Sequence, residues 1–124
     1  MLYNNSMFLS SLEELTHDSE LFYDFLMEIG SKPCKVDIRK VENFISGCQS
    51  QVWIAVVNDK IVVDADAIMV RGIARVISNY AKQHDDIKFS DFHKITKPLT
   101  MQRQRGMQAI INRIRVLKND AKNK

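Results

Sequence analysis

Cys48 is the residue of this sequence with the clearest potential for covalent chemistry. It lies between Gly47 and Gln49, in a run of small polar residues that precedes a predicted strand. Gly47 lets the backbone bend beside the sulfur, and a loop cysteine at the start of a strand can be presented to a partner. Cysteine reacts as the thiolate, and only about 3% is ionised at pH 7 when the pKa is near 8.5. A nearby cation would raise that fraction, whereas a buried structural cysteine is the alternative.

Other site chemistries find little support in the sequence. Cys34, between Pro33 and Lys35, is a weaker candidate for a reactive thiol. Thirteen residues separate the two cysteines and the three histidines are scattered, whereas zinc sites use closely paired ligands. The four glycines are isolated, so there is no Gly-rich nucleotide loop. We therefore expect no bound structural metal.

Length and composition indicate one domain. The chain has 124 residues, of which 45% are hydrophobic and 27% charged, as is typical of a soluble globular protein. No apolar run approaches the roughly 18 residues of a transmembrane helix, and the N-terminus lacks the basic start of a secretory signal. Two cysteines are too few for a disulfide framework. We expect a single cytoplasmic domain over residues 1–124 with free thiols, loosely ordered at residues 1–8 and 119–124.

Charge is unevenly distributed along the chain. Residues 1–31 carry six acidic and no basic side chains, whereas residues 94–124 carry nine basic and one acidic. A basic segment can bind nucleic acid, an acidic protein surface or anionic lipid, or it can be a solvated helix face. A basic nucleic-acid-binding module is therefore one alternative function, although the RNP-type aromatic pattern is missing.

A predicted β-hairpin follows Cys48 directly. Residues 50–57 and 60–63 are rich in β-branched and aromatic side chains, and they flank Asn58-Asp59, two residues that tolerate positive φ. Residues 41–45 are a further candidate for a short strand. With helices on one side, these strands predict an α+β fold with a small antiparallel sheet of about three strands.

Apolar spacing predicts the helices that pack on this sheet. The predicted segments are residues 10–14, 20–29, 67–83, 91–95 and 101–117. Asp18 or Ser19 is expected to cap the second segment, and Gly30 to end it in the left-handed conformation. Asp64 or Asp66 is expected to cap the third segment. The polar residues expected to face solvent on that segment are Arg71, Arg75, Asn79 and Lys82.

Residues 43–54, NFISGCQSQVWI, resemble the N-x-[VI]-x-G-C-Q-S-Q-V-W-[LI] signature of the SufE/CsdE family. Residues 23–30 are similar to the family's first long helix, and residues 64–72 to the segment after its hairpin. Residues 99–107 are similar to L-[ST]-P-x-R-x-x-G-[LM], with Met101 in place of the usual Pro. The resemblance covers roughly residues 20–117 and implies a SufE/IscU-like fold.

This resemblance implies a sulfur carrier in iron–sulfur cluster assembly. Cys48 would accept sulfane sulfur as a persulfide from a PLP-dependent cysteine desulfurase of the SufS or CsdA type, stimulate that enzyme, and pass the sulfur to a SufB-like scaffold. Such a carrier needs no metal or cofactor of its own and binds neither a membrane nor nucleic acid. A one-cysteine thiol peroxidase, forming a sulfenate at Cys48, is a further alternative.

The same resemblance implies roles for other residues. Arg103, in the R-x-x-G match, would support the thiolate or persulfide anion, or else it begins a helix on a solvated face. The residues expected to bind the partner or brace the cysteine loop are Gly47, Gln49, Ser50, Gln51 and Asp66. We expect the loop to shelter the sulfur in an apolar cavity when free and to expose it when docked.

Overall fold

The computed structural model describes residues 8–123, and a three-stranded antiparallel sheet lies at its centre. The strands are β1 (Phe44–Ile45), β2 (Val52–Val57) and β3 (Lys60–Ala65), in that spatial order. The predicted hairpin is confirmed, because Asn58 and Asp59 connect β2 to β3 with φ values of 52° and 64°. β1 is shorter than the predicted 41–45 strand because Val41–Asn43 form a 3-10 helix.

Helices make up much of the remaining described chain. Their bounds are α1 (Phe8–Glu14), α2 (Ser19–Gly30), α3 (Ile68–Lys82), α4 (His93–Thr96) and α5 (Met101–Lys122), with a second 3-10 helix at Phe89–Phe92. Asp18 caps α2, as expected, and its carboxylate accepts a hydrogen bond from Leu21 N–H at 3.2 Å. The short helix predicted at 91–95 is divided between the second 3-10 helix and α4.

Helices include residues at both ends of the described chain. Phe8 begins α1 and packs half-buried against the core. Residues 119–122, expected to be loosely ordered, continue α5 with exposed side chains. The Lys118 ammonium donates to Ala81 O and His84 O, which ties this end of α5 to the end of α3. The expectation for residues 1–7 and 124 falls outside the described residues.

The helices cover one face of the sheet, where the main core lies. Val52, Ile54 and Val63 point to this side and are at most 6% exposed, and buried apolar residues of α2, α3 and α5 pack with them in one cluster. A smaller cluster around Ile38 and Trp53 lies apart from the main core, on the face to which alternation along β2 directs Trp53. The α+β architecture with helices on one side is thus confirmed, and Trp53 is buried.

α2 and α3 cross at two glycines. A Cβ on Gly30 would lie 2.0 Å from Ile68 O, and a Cβ on Gly72 would lie 2.2 Å from Leu26 O. The prediction of a left-handed Gly30 is wrong, because among the described glycines only Gly47 has a positive φ. Gly30 belongs to the last turn of α2, and it is needed there because the two helix backbones touch.

The prediction that Asp64 or Asp66 caps α3 is also wrong, since α3 has no side-chain cap. The buried Asp64 carboxylate binds Arg39 Nε at 2.9 Å, Arg71 Nη1 at 3.3 Å and Ala65 N at 2.9 Å. Burial raises the pKa of Asp64, but the hydrogen bonds from Arg39, Ala65 and Arg71 together outweigh it, so the net pKa is lowered. This carboxylate therefore joins three segments of the chain.

Arg71 and Arg75 were predicted to face solvent, but both side chains bind backbone carbonyls of α2 instead. Arg71 Nε donates to Gly30 O at 2.8 Å, and Arg75 Nη1 donates to Ile29 O at 2.9 Å. The two guanidinium groups thus satisfy carbonyls at the C-terminal end of α2, which have no partner inside the helix. Asn79, also predicted on the solvent face, is buried.

Candidate functional site

The Cys48 loop, defined here as residues 46–50, joins β1 to β2. Gly47 has a φ of 97°, a conformation in which other residues are strained. A Cβ at this position would also lie 3.2 Å from Ala109 Cβ on α5. Glycine is therefore favoured at position 47 by the backbone conformation and by the close approach of the loop to the helix.

Cys48 is half-buried, and its sulfur faces the N-terminal part of α5. Sγ donates a weak hydrogen bond to Gly106 O at 3.6 Å. A Cβ on Gly106 would lie 3.6 Å from the same sulfur, so the glycine leaves space beside it. The sequence predicts a loop cysteine just before a strand, and this is the position that Cys48 occupies.

A cavity of about 30 Å³ adjoins the sulfur. Its apolar lining residues are Val70, Ile73, Met107 and Ile110, and its polar ones are Gln49, Ser50, Gln102 and Arg103. A space of this size holds about two water-sized atoms. The sulfur therefore has both partial shelter and an adjoining, partly apolar cavity, and the outward movement of the loop stays a prediction.

Burial raises the pKa of the Cys48 thiol above its ordinary value. The Gly106 carbonyl acts in the same direction because it accepts a hydrogen bond from S–H and repels a thiolate. Arg103 lines the same cavity, but its support of an anion at Cys48 stays a prediction. Both effects favour the protonated thiol over the thiolate while the sulfur stays in this position.

The C-terminal end of the Cys48 loop is held by hydrogen bonds between Gln51 and Asp66. Gln49 is exposed and Ser50 is half-buried, and both border the cavity. Gln51 and Asp66 form two hydrogen bonds: Gln51 N donates to Asp66 Oδ1 at 3.1 Å, and Asp66 N donates to Gln51 O at 3.1 Å. Asp66 therefore holds the C-terminal end of the loop, and its contact with a partner stays a prediction.

Three α5 residues that contact the loop region had no role at the site predicted from the sequence: Gly106, which is the glycine of the R-x-x-G match, Ala109 and Arg113. Arg113 Nη2 donates to Phe44 O, just before the loop, at 3.3 Å. Spacings of three and four residues place the three on one face of the helix. Two small residues on a face of an otherwise bulky helix are a sequence signal for close approach, but they do not indicate which segment approaches.

Cys34 lies away from this site, in the cluster with Ile38 and Trp53. Its Sγ donates to Val36 O at 3.2 Å, and neither cysteine forms a disulfide. Within residues 8–123, no group of three or more His, Cys, Asp or Glu side chains is arranged to hold a metal ion. No helix of the described chain has the length and apolar character needed to cross a membrane.

Fold and site together define a class of protein: a small α+β domain with one half-buried cysteine on a glycine-containing loop beside a cavity. A family model described as SufE, the Fe-S metabolism associated domain, matches residues 9–117. The match spans most of the 124 residues, so this chain belongs to the SufE family. The family resemblance predicted from residues 43–54 is confirmed, and the protein functions in iron–sulfur metabolism.

Proposed function

We propose that this protein is a sulfur carrier that accepts sulfane sulfur as a persulfide on Cys48. The observation that carries the proposal is a half-buried cysteine on a loop with a left-handed glycine, beside a cavity of about 30 Å³, in a SufE-family chain. A carrier needs a sulfur that a donor can reach and a place where the loaded sulfur is kept from other thiols. The cavity supports the second requirement, and the loop position supports the first.

The transfer is an exchange between thiols. The Cys48 thiolate attacks the terminal sulfur of a cysteine persulfide on the donor, the donor S–S bond breaks, and a new S–S bond forms on Cys48. The donor cysteine leaves as a thiolate, and the transferred sulfur keeps its own proton. No oxidant or reductant is consumed, and the step needs no metal or cofactor on this chain.

The donor is proposed to be a PLP-dependent cysteine desulfurase of the SufS or CsdA type. Removal of the sulfur frees the desulfurase's own cysteine for another cycle, so the carrier stimulates turnover. A second exchange of the same kind passes the sulfur to a SufB-like scaffold. The free thiols of Cys34 and Cys48 are in keeping with a reducing compartment such as the cytoplasm.

Opening of the loop on docking would promote deprotonation of Cys48. Burial and the Gly106 carbonyl both favour the S–H form at rest, and movement of the loop out of the cavity removes both effects. Arg103, at the cavity, would then stabilise the thiolate or persulfide anion. The other residues proposed to contact the donor are Gly47, Gln49, Ser50, Gln51 and Asp66.

Mass spectrometry of the intact protein tests the proposal. Incubation with a cysteine desulfurase, PLP and cysteine should add about 32 Da, one sulfur atom, and peptide mapping should locate it at Cys48. Cys48→Ser should gain no sulfur, and the matched variant Cys34→Ser should load like the wild type. Full loading of Cys48→Ser would overturn the assignment.

The same preparation distinguishes the alternatives. Part of the basic charge of α5 is engaged within the fold, because Arg115 pairs with Asp86 at 3.3 Å and Lys118 binds two backbone carbonyls. Steep salt dependence of binding to DNA or RNA would favour the nucleic-acid module. Turnover of peroxide with a sulfenate at Cys48 would favour the thiol peroxidase.

A further inference from the structure

The two ends of the Cys48 loop are held very differently. At the C-terminal end, Gln51 and Asp66 share two hydrogen bonds of 3.1 Å, and β2 continues into six residue pairs with β3. At the N-terminal end, the two residues of β1 form only two pairs with β2. The N-terminal end is therefore the weaker anchor.

A stripe on α5 supplements that weaker anchor. Gly106, Ala109 and Arg113 lie on one face of the helix. Gly106 O accepts from Cys48 Sγ at 3.6 Å, a Cβ on Gly47 would lie 3.2 Å from Ala109 Cβ, and Arg113 donates to Phe44 O at 3.3 Å. The loop therefore runs antiparallel to α5: position 48 lies at Gly106, position 47 at Ala109 and position 44 at Arg113. One stripe of the helix thus lies against the loop and the residues just before it.

We propose that Gly106, Ala109 and Arg113 form a seat that holds the Cys48 loop closed, and that Ala109 and Arg113 are positioning residues for Cys48. The loop opens from its Gly47 side, while the Gln51–Asp66 pair stays formed and acts as the fixed end. The use of this opening in sulfur transfer rests on the proposed function, whereas the opening itself is a property of the free thiol protein.

The seat is suited to a loop that must open. The Arg113 bond is exposed, the Cys48 bond has a weak S–H donor, and Ala109 contributes only a methyl contact. One ordinary hydrogen bond changes a population ratio by roughly two- to tenfold. Loss of one seat contact should therefore raise the open population measurably without unfolding the domain.

Alkylation rates of the two cysteines test this seat directly. Iodoacetamide labelling at fixed pH, resolved by peptide mass mapping, reports how often each thiol is exposed. Arg113→Gln should raise the Cys48 rate roughly threefold because it removes one exposed hydrogen bond. Ala109→Met should raise it roughly tenfold or more because the longer side chain occupies the position of Gly47.

Arg115→Gln is the matched control on the same helix. It removes only an exposed ion pair with Asp86 and should leave the Cys48 rate unchanged. The Cys34 rate should stay at the wild-type value in all three variants. Amide hydrogen exchange at Asp66 should also be unchanged, because Asp66 N–H donates to Gln51 O at the fixed end.

Three results would overturn the seat: an unchanged Cys48 rate in Arg113→Gln and Ala109→Met, an equal rise at Cys34, or the same rise in Arg115→Gln. Circular dichroism checks the fold, and if Ala109→Met does not fold, Arg113→Gln decides alone. No desulfurase is present in this assay. Failure of Cys48 to accept sulfur would therefore refute the proposed function without affecting the result on the seat.

Discussion

Cys34 and Cys48 are both half-buried thiols that donate to a backbone carbonyl, but the two acceptors differ in sequence distance. Cys34 bonds to Val36 O, two residues away in its own segment, whereas Cys48 bonds to Gly106 O, 58 residues away on α5. The first bond would move with its segment, whereas the second would break on the proposed opening of the loop. A thiol held by a breakable long-range contact can be both sheltered and delivered.

The segments that carry the two thiols are anchored by forces of different strength. Arg39, close to Cys34 in sequence, binds the buried Asp64 carboxylate at 2.9 Å and lies 4.8 Å from the centre of the Trp53 ring. The N-terminal side of the Cys48 loop has the two residue pairs of β1, the buried Ile45, the Phe44–Trp53 ring contact and the seat on α5. Half-burial alone therefore does not show how firmly the segment that carries a thiol is held.

Replacement of Asp64 should produce the largest effect, on the firmly anchored region. Asp64→Asn leaves Arg39 and Arg71 without their carboxylate, and we expect the free energy of unfolding to fall by about 3 kcal/mol. Urea denaturation measures this loss. Asp120→Asn, which removes an exposed carboxylate near the end of α5, is the control and should change stability by less than about 0.5 kcal/mol. Equal stability of the two variants would refute the anchor.

Acid should weaken the same anchor. The folded pKa of Asp64 is lowered, so its contribution is present above the unfolded pKa of about 3.9 and is lost as the pH falls through the folded value. Wild-type stability should therefore decrease more steeply than that of Asp64→Asn below about pH 4. Parallel curves from urea titrations at several pH values would contradict this expectation.

Gly47→Ala should act on the Cys48 side and leave the Cys34 side unaffected. An alanine at φ 97° is strained, and its Cβ would lie 3.2 Å from Ala109 Cβ, which together disfavour the closed loop by about 1–2 kcal/mol. The Cys48 alkylation rate should rise roughly five- to thirtyfold, with the Cys34 rate unchanged. A rise at both thiols would indicate a general loosening instead.

High pH should open the Cys48 loop. Burial raises the pKa of Cys48 in the closed loop. The closed loop is therefore most stable below the ordinary thiol pKa of about 8.5, and it loses this stability as the pH rises through the raised value. The midpoint of Cys48 alkylation against pH should lie above that of a free thiol. In Ala109→Met it should return to the ordinary value, and an ordinary midpoint in the wild type would contradict the closed loop.

Gly106→Ala should have the smallest effect on the Cys48 site. This variant distinguishes the reactivity of the free thiol from that of the persulfide. The added Cβ lies 3.6 Å from Cys48 Sγ, an ordinary contact, and alanine favours the helix by up to about 1 kcal/mol. Alkylation of the free thiol should stay within about twofold of the wild type. Loss of sulfane sulfur to a small thiol should be about twofold faster because the cavity beside the sulfur is smaller. Equal loss would place the second sulfur elsewhere.

Local features of this protein were predictable because their causes are local. Asn58 and Asp59 indicate the hairpin turn, Asp18 indicates the start of α2, and the residues around Cys48 indicate a loop before a strand. The errors concern contacts between distant segments. A glycine at position 30 is typical of a helix end, but here a glycine is required because the backbones of α2 and α3 touch at this residue. No local pattern in the sequence encodes that crossing.

The sequence by itself determined the hairpin strands, the longer helices, the family and the cysteine on which the proposed function depends, because turn preferences, apolar periodicity and the motif at residues 43–54 are all local patterns. Only the tertiary structure decided what surrounds that cysteine. Gly106, Ala109 and Arg113 are more than 50 residues from Cys48, and they meet the loop only because α5 packs against the sheet beside β1 and β2. Burial of the thiol, its raised pKa and the adjoining cavity arise from this packing, since each depends on groups that folding brings together.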